Sequence, residues 1–507
     1  MSHSVRVDGA DTLDDVAQVE RFGYRQTLRR SMGWFSSFAV SFSFISITTG
    51  IFANYGFGID HGGSRFIWTW ILVGIGQTLV AICLANLAPR VPLTGAMYNW
   101  GDKLMGRRYG WFTGWFVLAG YLAGYAGVAY AFSSYFAPYV GIGSSQETIV
   151  LTTVALIVVV ALINIAGMAW AARINNISVV TEIVGITAVG VGLLIYVLVK
   201  GTAHTDYLSS NVGLSGSGAT IHTGFSGLAV SLLMGAYTLI GFECAADLSE
   251  ETRGAVRRVP RSIISSVVIS AVLGFVVLLG FTLAIPNLHA VEASGTPLLV
   301  IMQYYLGSVV TKLAMTMVFI SIFACTLMNT ATPARQLFAI ARDGKIPPKD
   351  GLVRVSRRVK SPYVVIIVVS VIAILFTLIA KVEAIITSVS SVAIYLGYAL
   401  VIIAGLINRR GLRNPRGTFN LKGWQMPVSV LALAWLAIAI VALTLPAPGH
   451  NAFYVFVGVV VIGVLWYFVW VRRLPAGRAA WAAEDRLDGS TAEGAGQATA
   501  DNPDADT

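Results

Sequence analysis

Charge is the scarcest resource in this sequence. Asp, Glu, Lys and Arg make up 12% of its 507 residues, half of the roughly 25% found in soluble globular chains. That deficit argues against a soluble enzyme or a nucleic-acid-binding protein. Cysteine is nearly absent too. Cys83, Cys244 and Cys325 each lie in an apolar segment, with no spacing that suits zinc or redox chemistry. They read as small buried hydrophobes, and no metal site or disulfide framework is expected. The six histidines, His3, His61, His204, His222, His289 and His450, all fall outside the apolar runs read below as spans. No intramembrane histidine relay and no catalytic histidine–carboxylate pair is therefore expected. No GxxxxGK[ST] loop occurs, so ATP-driven pumping has no support. No apolar stretch precedes Met32, so no cleavable signal peptide is expected.

What remains is overwhelmingly apolar. Hydrophobic residues make up 56% of the chain, and the mean hydropathy is +0.73. A bilayer crossing takes about 20 mostly apolar residues. Runs with few charges, separated by charged or Gly/Pro loops, predict twelve spans. They cover residues 32–59, 66–88, 110–138, 150–168, 174–199, 225–251, 262–285, 307–341, 362–380, 383–408, 426–445 and 452–471. Residues 287–312 leave room for an extra interfacial helix. The fold expected is an all-α polytopic membrane protein. Its tails, residues 1–24 and 474–507, are rich in small and acidic residues, a composition that reads as disordered.

The 35 Lys and Arg outnumber the 25 Asp and Glu. With the amino terminus inside, only Arg65, Lys200, Lys312 and Lys381 fall on the outer side. The inner side collects the rest, including Arg253, Arg409, Arg410, Arg413 and Arg416. Such asymmetry is the positive-inside pattern, and it predicts cytoplasmic termini. The net charge of +10 then reflects orientation in the membrane. It calls for no anionic partner.

Two spans carry residues that can interrupt a membrane helix. The first contains Ser46–Phe52, with Thr48 and Thr49 before Gly50, and the sixth has Gly241 in its middle. Small and hydroxyl residues also mark plain close packing of helices. The two segments, however, open two blocks of five spans, residues 25–199 and 200–408, followed by two trailing spans in 409–473. Paired interruptions at corresponding positions of two halves point to a transport site. Half-helix amino termini would offer N–H groups to a carboxylate, and the opposing carbonyls would suit an ammonium group.

Carboxylates inside spans are few: Glu182 in the fifth, Glu243 and Asp247 in the sixth. Each costs at least about 2–3 kcal/mol at mid-membrane unless paired or hydrated, so a functional role is the default. Glu182 reads equally well as a proton-coupling group and as a salt-bridge partner of Arg173. Glu243 suits a cap or a substrate contact. Asp247, Glu250 and Glu251 are expected to form an inner gate with basic residues of neighbouring loops. Tyr237, one turn before Gly241, is the aromatic best placed to close over an amine. Tyr125 is a further aromatic candidate.

Three stretches then become recognisable. Gly241–Ile263 (GFECAADLSEETRGAVRRVPRSI), the segment from Pro89 to Trp115 and the segment from Ala331 to Pro347 resemble signature regions of the amino acid–polyamine–organocation superfamily. Its amino acid/choline transporter branch is the most similar. The resemblance implies a leucine-transporter-like fold of five-plus-five inverted repeats with two trailing helices. It also implies alternating access around a central site. It places Thr48, Thr49 and Gly50 at the substrate carboxylate, where the family's first glycine is missing. Tyr237 becomes the gate aromatic, Ile240 and Gly241 the unwound backbone, and Ser391 a lining residue in the tenth span. The function implied is a secondary active permease for an amino acid or related small amine such as 4-aminobutyrate, coupled to protons or working by exchange. A choline, ethanolamine or polyamine permease of the same fold is the alternative. A channel or membrane receptor is the alternative of another class, though no pore-loop motif appears. No cofactor, nucleic-acid partner or enzymatic activity is expected.

Overall fold

The computed structural model describes residues 15–208, 225–379, 383–408, 414–415, 417–444 and 450–474. Lys381, Arg409, Arg410, Arg413 and Arg416 lie outside the described residues, as do residues 1–14 and 475–507. The described residues are helical and loop-like, with one isolated bridge between Met32 and Thr252. Among the described residues, ten helices are long and apolar enough to cross a bilayer, and Gly227–Thr238 and Tyr363–Leu378 are shorter apolar helices. Together they match the twelve expected segments in number and order.

Along the chain run α1 (Trp34–Ile45), α2 (Ile47–Gly62), α3 (Ile67–Leu87), α4 (Ala96–Met105), α5 (Arg107–Tyr139), α6 (Gln146–Ala166) and α7 (Met168–Lys200). After them come α8 (Phe225–Thr238), α9 (Cys244–Asp247), α10 (Ala255–Leu283), α11 (Leu288–Ala293) and α12 (Pro297–Arg342). The last are α13 (Lys349–Leu352), α14 (Tyr363–Ile379), α15 (Glu383–Ile407), α16 (Gln425–Thr444) and α17 (His450–Val469). The short helix α11 occupies the region left open for an interfacial helix. α12 begins ten residues before the expected 307 and bends at Gly307, whose φ of 68° lies outside the helical region.

Burial sorts the bundle. The most apolar stretches of Trp34–Gly62 and Arg107–Tyr139 are 89% buried, against 11% for Phe453–Arg473. The first and third spans are therefore central, and the last faces the surroundings. Small residues make that centre possible. Gly120 and Gly124 of α5 let α15 approach so closely that the Ser390 hydroxyl donates to the Gly120 carbonyl at 2.8 Å, the close approach that small residues permit between membrane helices.

The expected tail extends less far than its composition suggests. Residues 15–32 lie over the end of the sixth span, anchored by buried Val19, Phe22 and Leu28. Arg30 donates to the Ser249 and Thr252 carbonyls at 3.1 and 2.8 Å. Asp15 accepts the Gly254 N–H at 2.7 Å. Apolar side chains spaced through an otherwise polar segment account for this correction.

Candidate functional site

The first spanning helix breaks at Ser46, which takes φ 36° and ψ 91°. A positive φ in a non-glycine residue costs of order 1–3 kcal/mol and persists only where its surroundings enforce it. Here they do. The Ser46 hydroxyl lies 2.6 Å from that of Thr49, accepts the Thr49 N–H at 3.2 Å and so caps α2. It also donates to Glu182 Oε1 at 3.0 Å and lies 3.3 Å from Ser321 Oγ of α12. Glu182 Oε1 accepts the Thr48 N–H at 3.1 Å as well. One carboxylate of the fifth span thus sits at the buried amino terminus of α2, where the helix dipole favours an anion. Glu182 Oε2 and Thr48 Oγ1 have no hydrogen-bond partner among the described residues. Thr48 and Glu182 border a cavity of about 10 Å³, the room of roughly one water.

The sixth span unwinds between Thr238 and Cys244, with Gly241 at φ 89°. A Cβ there would strike Phe44, so only glycine fits. The two breaks are interlocked. A Cβ on Gly50 would collide with the Thr238 side chain. Ser41 of α1 donates to the Phe242 carbonyl at 2.7 Å and accepts the Ala245 N–H at 3.0 Å.

Beyond Gly241 lies a buried acid–tyrosine cluster. Tyr121 of α5 reaches Glu243 Oε1 at 2.7 Å and Asp247 Oδ2 at 2.8 Å. Tyr398 of α15 donates to Glu243 Oε2 at 2.5 Å and accepts the Gly241 N–H at 3.1 Å. One Tyr121 proton therefore faces two carboxylates. Asp247 Oδ1 has no partner among the described residues.

Ion pairs close the end of the bundle that bears most of the basic residues. Arg335 holds Glu251 through two nitrogens, at 2.8 and 3.4 Å, with both side chains buried. Arg342 holds Glu250 at 3.1 and 3.2 Å, while Glu250 also accepts the Thr94 N–H. Arg342 stacks on Tyr24 at 3.9 Å. Asp102, on the connecting helix α4, contacts Lys345 at 2.5 Å and Lys103 at 3.2 Å. Burial would raise its carboxyl pKa, but these two ammonium groups outweigh it and hold Asp102 below the usual carboxylate range. At the other end a cavity of about 210 Å³ opens among Phe52, Gly56, Asp60 and Tyr135.

The expected site residues divide accordingly. Thr48, Thr49, Gly50, Glu182, Ile240 and Gly241 gather at the two breaks. Tyr237 is buried in α8 and lies close to Gly127 of α5. The break itself falls at Ser46, two residues before the expected hydroxyl pair. Glu182 engages α2 rather than Arg173, which lies over the Trp170 ring. Asp247 binds Tyr121 instead of a loop cation, because it points into the bundle, whereas Glu250 and Glu251 do form the basic ion pairs. Tyr125 turns away, its hydroxyl 3.4 Å from Ile157 O and Ser370 Oγ. Ser391 donates within its own helix to Thr387 O, and its neighbour Ser390 makes the interhelical contact. Ser41, Ser321 and Tyr398 carry no mark in the sequence, and Ser46 is marked only as the first residue of the interrupting segment. Serines and tyrosines are common in these spans, and no spacing singles these out.

A family model for amino acid permeases matches residues 32–467. The chain is 26% identical over 461 residues to the amino-acid permease BAT1 of Arabidopsis thaliana, covering 85% of this chain and 88% of that protein. Its similarity to the BAT1 homolog of Oryza sativa subsp. japonica is 25% over 460 residues, with 85% and 87% covered. Amino-acid permease 2 of Neurospora crassa is 26% identical over 440 residues, with 82% and 79% covered.

Proposed function

Since the chain belongs to the amino acid permease family and so is a multi-pass transporter of amino acids across a membrane, we propose that it is a secondary active permease working by alternating access around the breaks at Ser46 and Gly241. Residues 25–199 and 200–408 form the two inverted repeats of this reading, and 409–473 the trailing helices. The protein sits in the plasma membrane with its basic end and both termini cytoplasmic. The substrate is an amino acid or related small amine such as 4-aminobutyrate. Its carboxylate takes the α2 amino terminus at Thr48, Thr49 and Gly50, and its ammonium lies toward the unwound carbonyls near Ile240, with Tyr237 as the lid.

The observation that carries this reading is the placement of Glu182. Its carboxylate occupies the N–H group and dipole end that a substrate carboxylate would use. Two anions at one helix terminus exclude each other unless one gains a proton. Substrate binding is thereby linked to protonation of Glu182, and proton coupling follows. The two buried carboxylates Glu243 and Asp247, beside Tyr121 and Tyr398, favour a second reading in which choline, ethanolamine or a polyamine is carried instead.

Purified protein in proteoliposomes tests both. Saturable uptake driven by an imposed pH gradient and stimulated by counterflow identifies a coupled permease, and non-saturable flux would mark a channel. A thermal-shift screen over amino acids, 4-aminobutyrate, polyamines, ethanolamine and choline then separates the substrates.

A further inference from the structure

Beside the gate pairs, the basic end holds a pocket of about 590 Å³, a size common among small-ligand sites. Six cationic residues line it: Arg25 of the segment 15–32, Lys103 of α4, Arg107 at the start of α5, Arg342 at the end of α12, Lys345 just beyond it and Lys349 of α13. The two acids of the lining are already engaged. Asp102 is paired with Lys103 and Lys345, and Asp343 accepts the Tyr24 and Tyr98 hydroxyls at 2.8 and 2.5 Å. Arg25 and Lys349 are exposed and make no ion pair among the described residues. Arg342 spends its terminal nitrogens on Glu250, while its buried Nε has no hydrogen-bond partner among the described residues. Positive charge is in surplus, so an anion is the occupant that fits.

Two further features say which anion. Gly106, at φ 88°, lines the pocket and precedes the first residue of α5. It has no side chain to cap the helix, and the space where its Cβ would stand is open. The positive end of a 33-residue helix therefore opens on the pocket. A carboxylate offers two oxygens in one plane, whereas a phosphate monoester presents three. Three suit guanidinium forks, ammonium groups and a helix terminus that arrive from different elements. The second feature is depth. Trp466 donates to Lys345 O at 3.1 Å and Trp470 to Gly344 O at 3.0 Å, which fixes the end of the last span against the pocket wall. Tryptophans at span ends mark the headgroup layer of a bilayer, so lipid phosphates lie at the level of Lys345.

We propose that this pocket is a binding site for a phosphate group, carried either by a lipid headgroup of the adjoining leaflet or by a small soluble phosphate ester. The site touches neither helix break, so it stands independently of which solute is carried and how transport is coupled. Its occupant joins the segment 15–32, α4, α5 and the end of α12, and binding to the folded chain alone stabilises it by mass action.

The full-length protein tests both sources. In detergent, the melting temperature is compared in inorganic phosphate and in chloride at matched ionic strength. In nanodiscs of phosphatidylcholine, phosphatidic acid is compared with oleate at equal surface charge. Phosphate, phosphatidic acid or both are expected to raise the melting temperature, and chloride and oleate are not. A rise with phosphate alone assigns the site to a soluble ester, and a rise with phosphatidic acid alone assigns it to a lipid. Arg25→Glu with Lys349→Glu, two exposed changes, is expected to weaken the effective anion about tenfold, the sum of two exposed charge contacts. Arg253→Glu with Arg257→Glu, which are exposed and outside the pocket, should leave it unchanged. Should the first pair itself melt early, Arg25→Gln with Lys349→Gln removes the charges without reversing them and is expected to weaken binding in the same direction. No rise with either phosphate or phosphatidic acid overturns the proposal. So does an equal rise with oleate, or an equal loss in the pocket variant and its counterpart outside.

Discussion

The Glu182 carboxylate accepts the Thr48 N–H at 3.1 Å, so a side chain of the fifth span caps the helix that restarts after the break in the first. In Glu182→Gln, the amide oxygen still accepts that N–H, and the fold is expected to survive. A proton can no longer be taken up there. Accumulation driven by a pH gradient should be lost while counterflow exchange persists, measured side by side in proteoliposomes. Undiminished gradient-driven accumulation would remove Glu182 from the coupling role.

Gly50 faces Thr238 with no room for a Cβ. Gly50→Ala is expected to push the two broken helices apart and cut uptake at least tenfold, at a stability cost of about 1–3 kcal/mol for overpacking. Thr238→Gly should restore both uptake and melting temperature when combined with it. A double variant no better than Gly50→Ala would show that the contact is not what the glycine protects.

Most of the fold was legible in the sequence because a bilayer imposes a length and a polarity on each crossing. Positions of chemistry were less so. Glu182 stood out because an isolated carboxylate in an apolar run is costly wherever it faces. Ser46 opens the interrupting segment in the sequence, but nothing marks it as the break itself until the α7 carboxylate is brought alongside. Tyr398 and Arg342 acquire meaning only through partners 155 and 92 residues away. Asp247 misled for the opposite reason. Its sequence neighbours are gate acids, yet helical geometry turns it inward onto Tyr121.

Arg342 and Glu250 are expected to weight the cycle toward a closed basic face. Removing one charge of a buried pair costs about 3 kcal/mol, which is about a hundredfold in the closed-to-open ratio. Glu250→Gln should therefore raise the labelling rate of a cysteine placed at Ala334, behind the gate, by a membrane-impermeant thiol reagent on that face. An unchanged labelling rate would mean that the Glu251–Arg335 pair suffices.

Tyr121 supplies the hydroxyl shared by Glu243 and Asp247. In Tyr121→Phe the two buried carboxylates lose that donor, and a loss of about 2–3 kcal/mol is expected for hydrogen bonds to charged groups. Asp247→Asn brings its own N–H donor toward Glu243 and should melt close to the unaltered protein. Equal destabilisation by both would show that Asp247 has to be an acid for the fold.

Asp102 gives a pH dependence whose sign is fixed. Its carboxyl is held below the usual range by Lys345 and Lys103 against the effect of burial. A depressed native pKa contributes stability above the unfolded value of about 3.9 and surrenders it as pH falls through the native value. The ion pair should thus be fully effective at neutral pH and fail only in acid. Asp102→Asn is expected to lower the melting temperature by a constant amount from pH 8 to pH 5, with the gap to the unaltered protein narrowing below about pH 4. A gap that widens on acidification, or that closes already near pH 6, would show that the Lys345 contact is not what stabilises α4 against the end of α12.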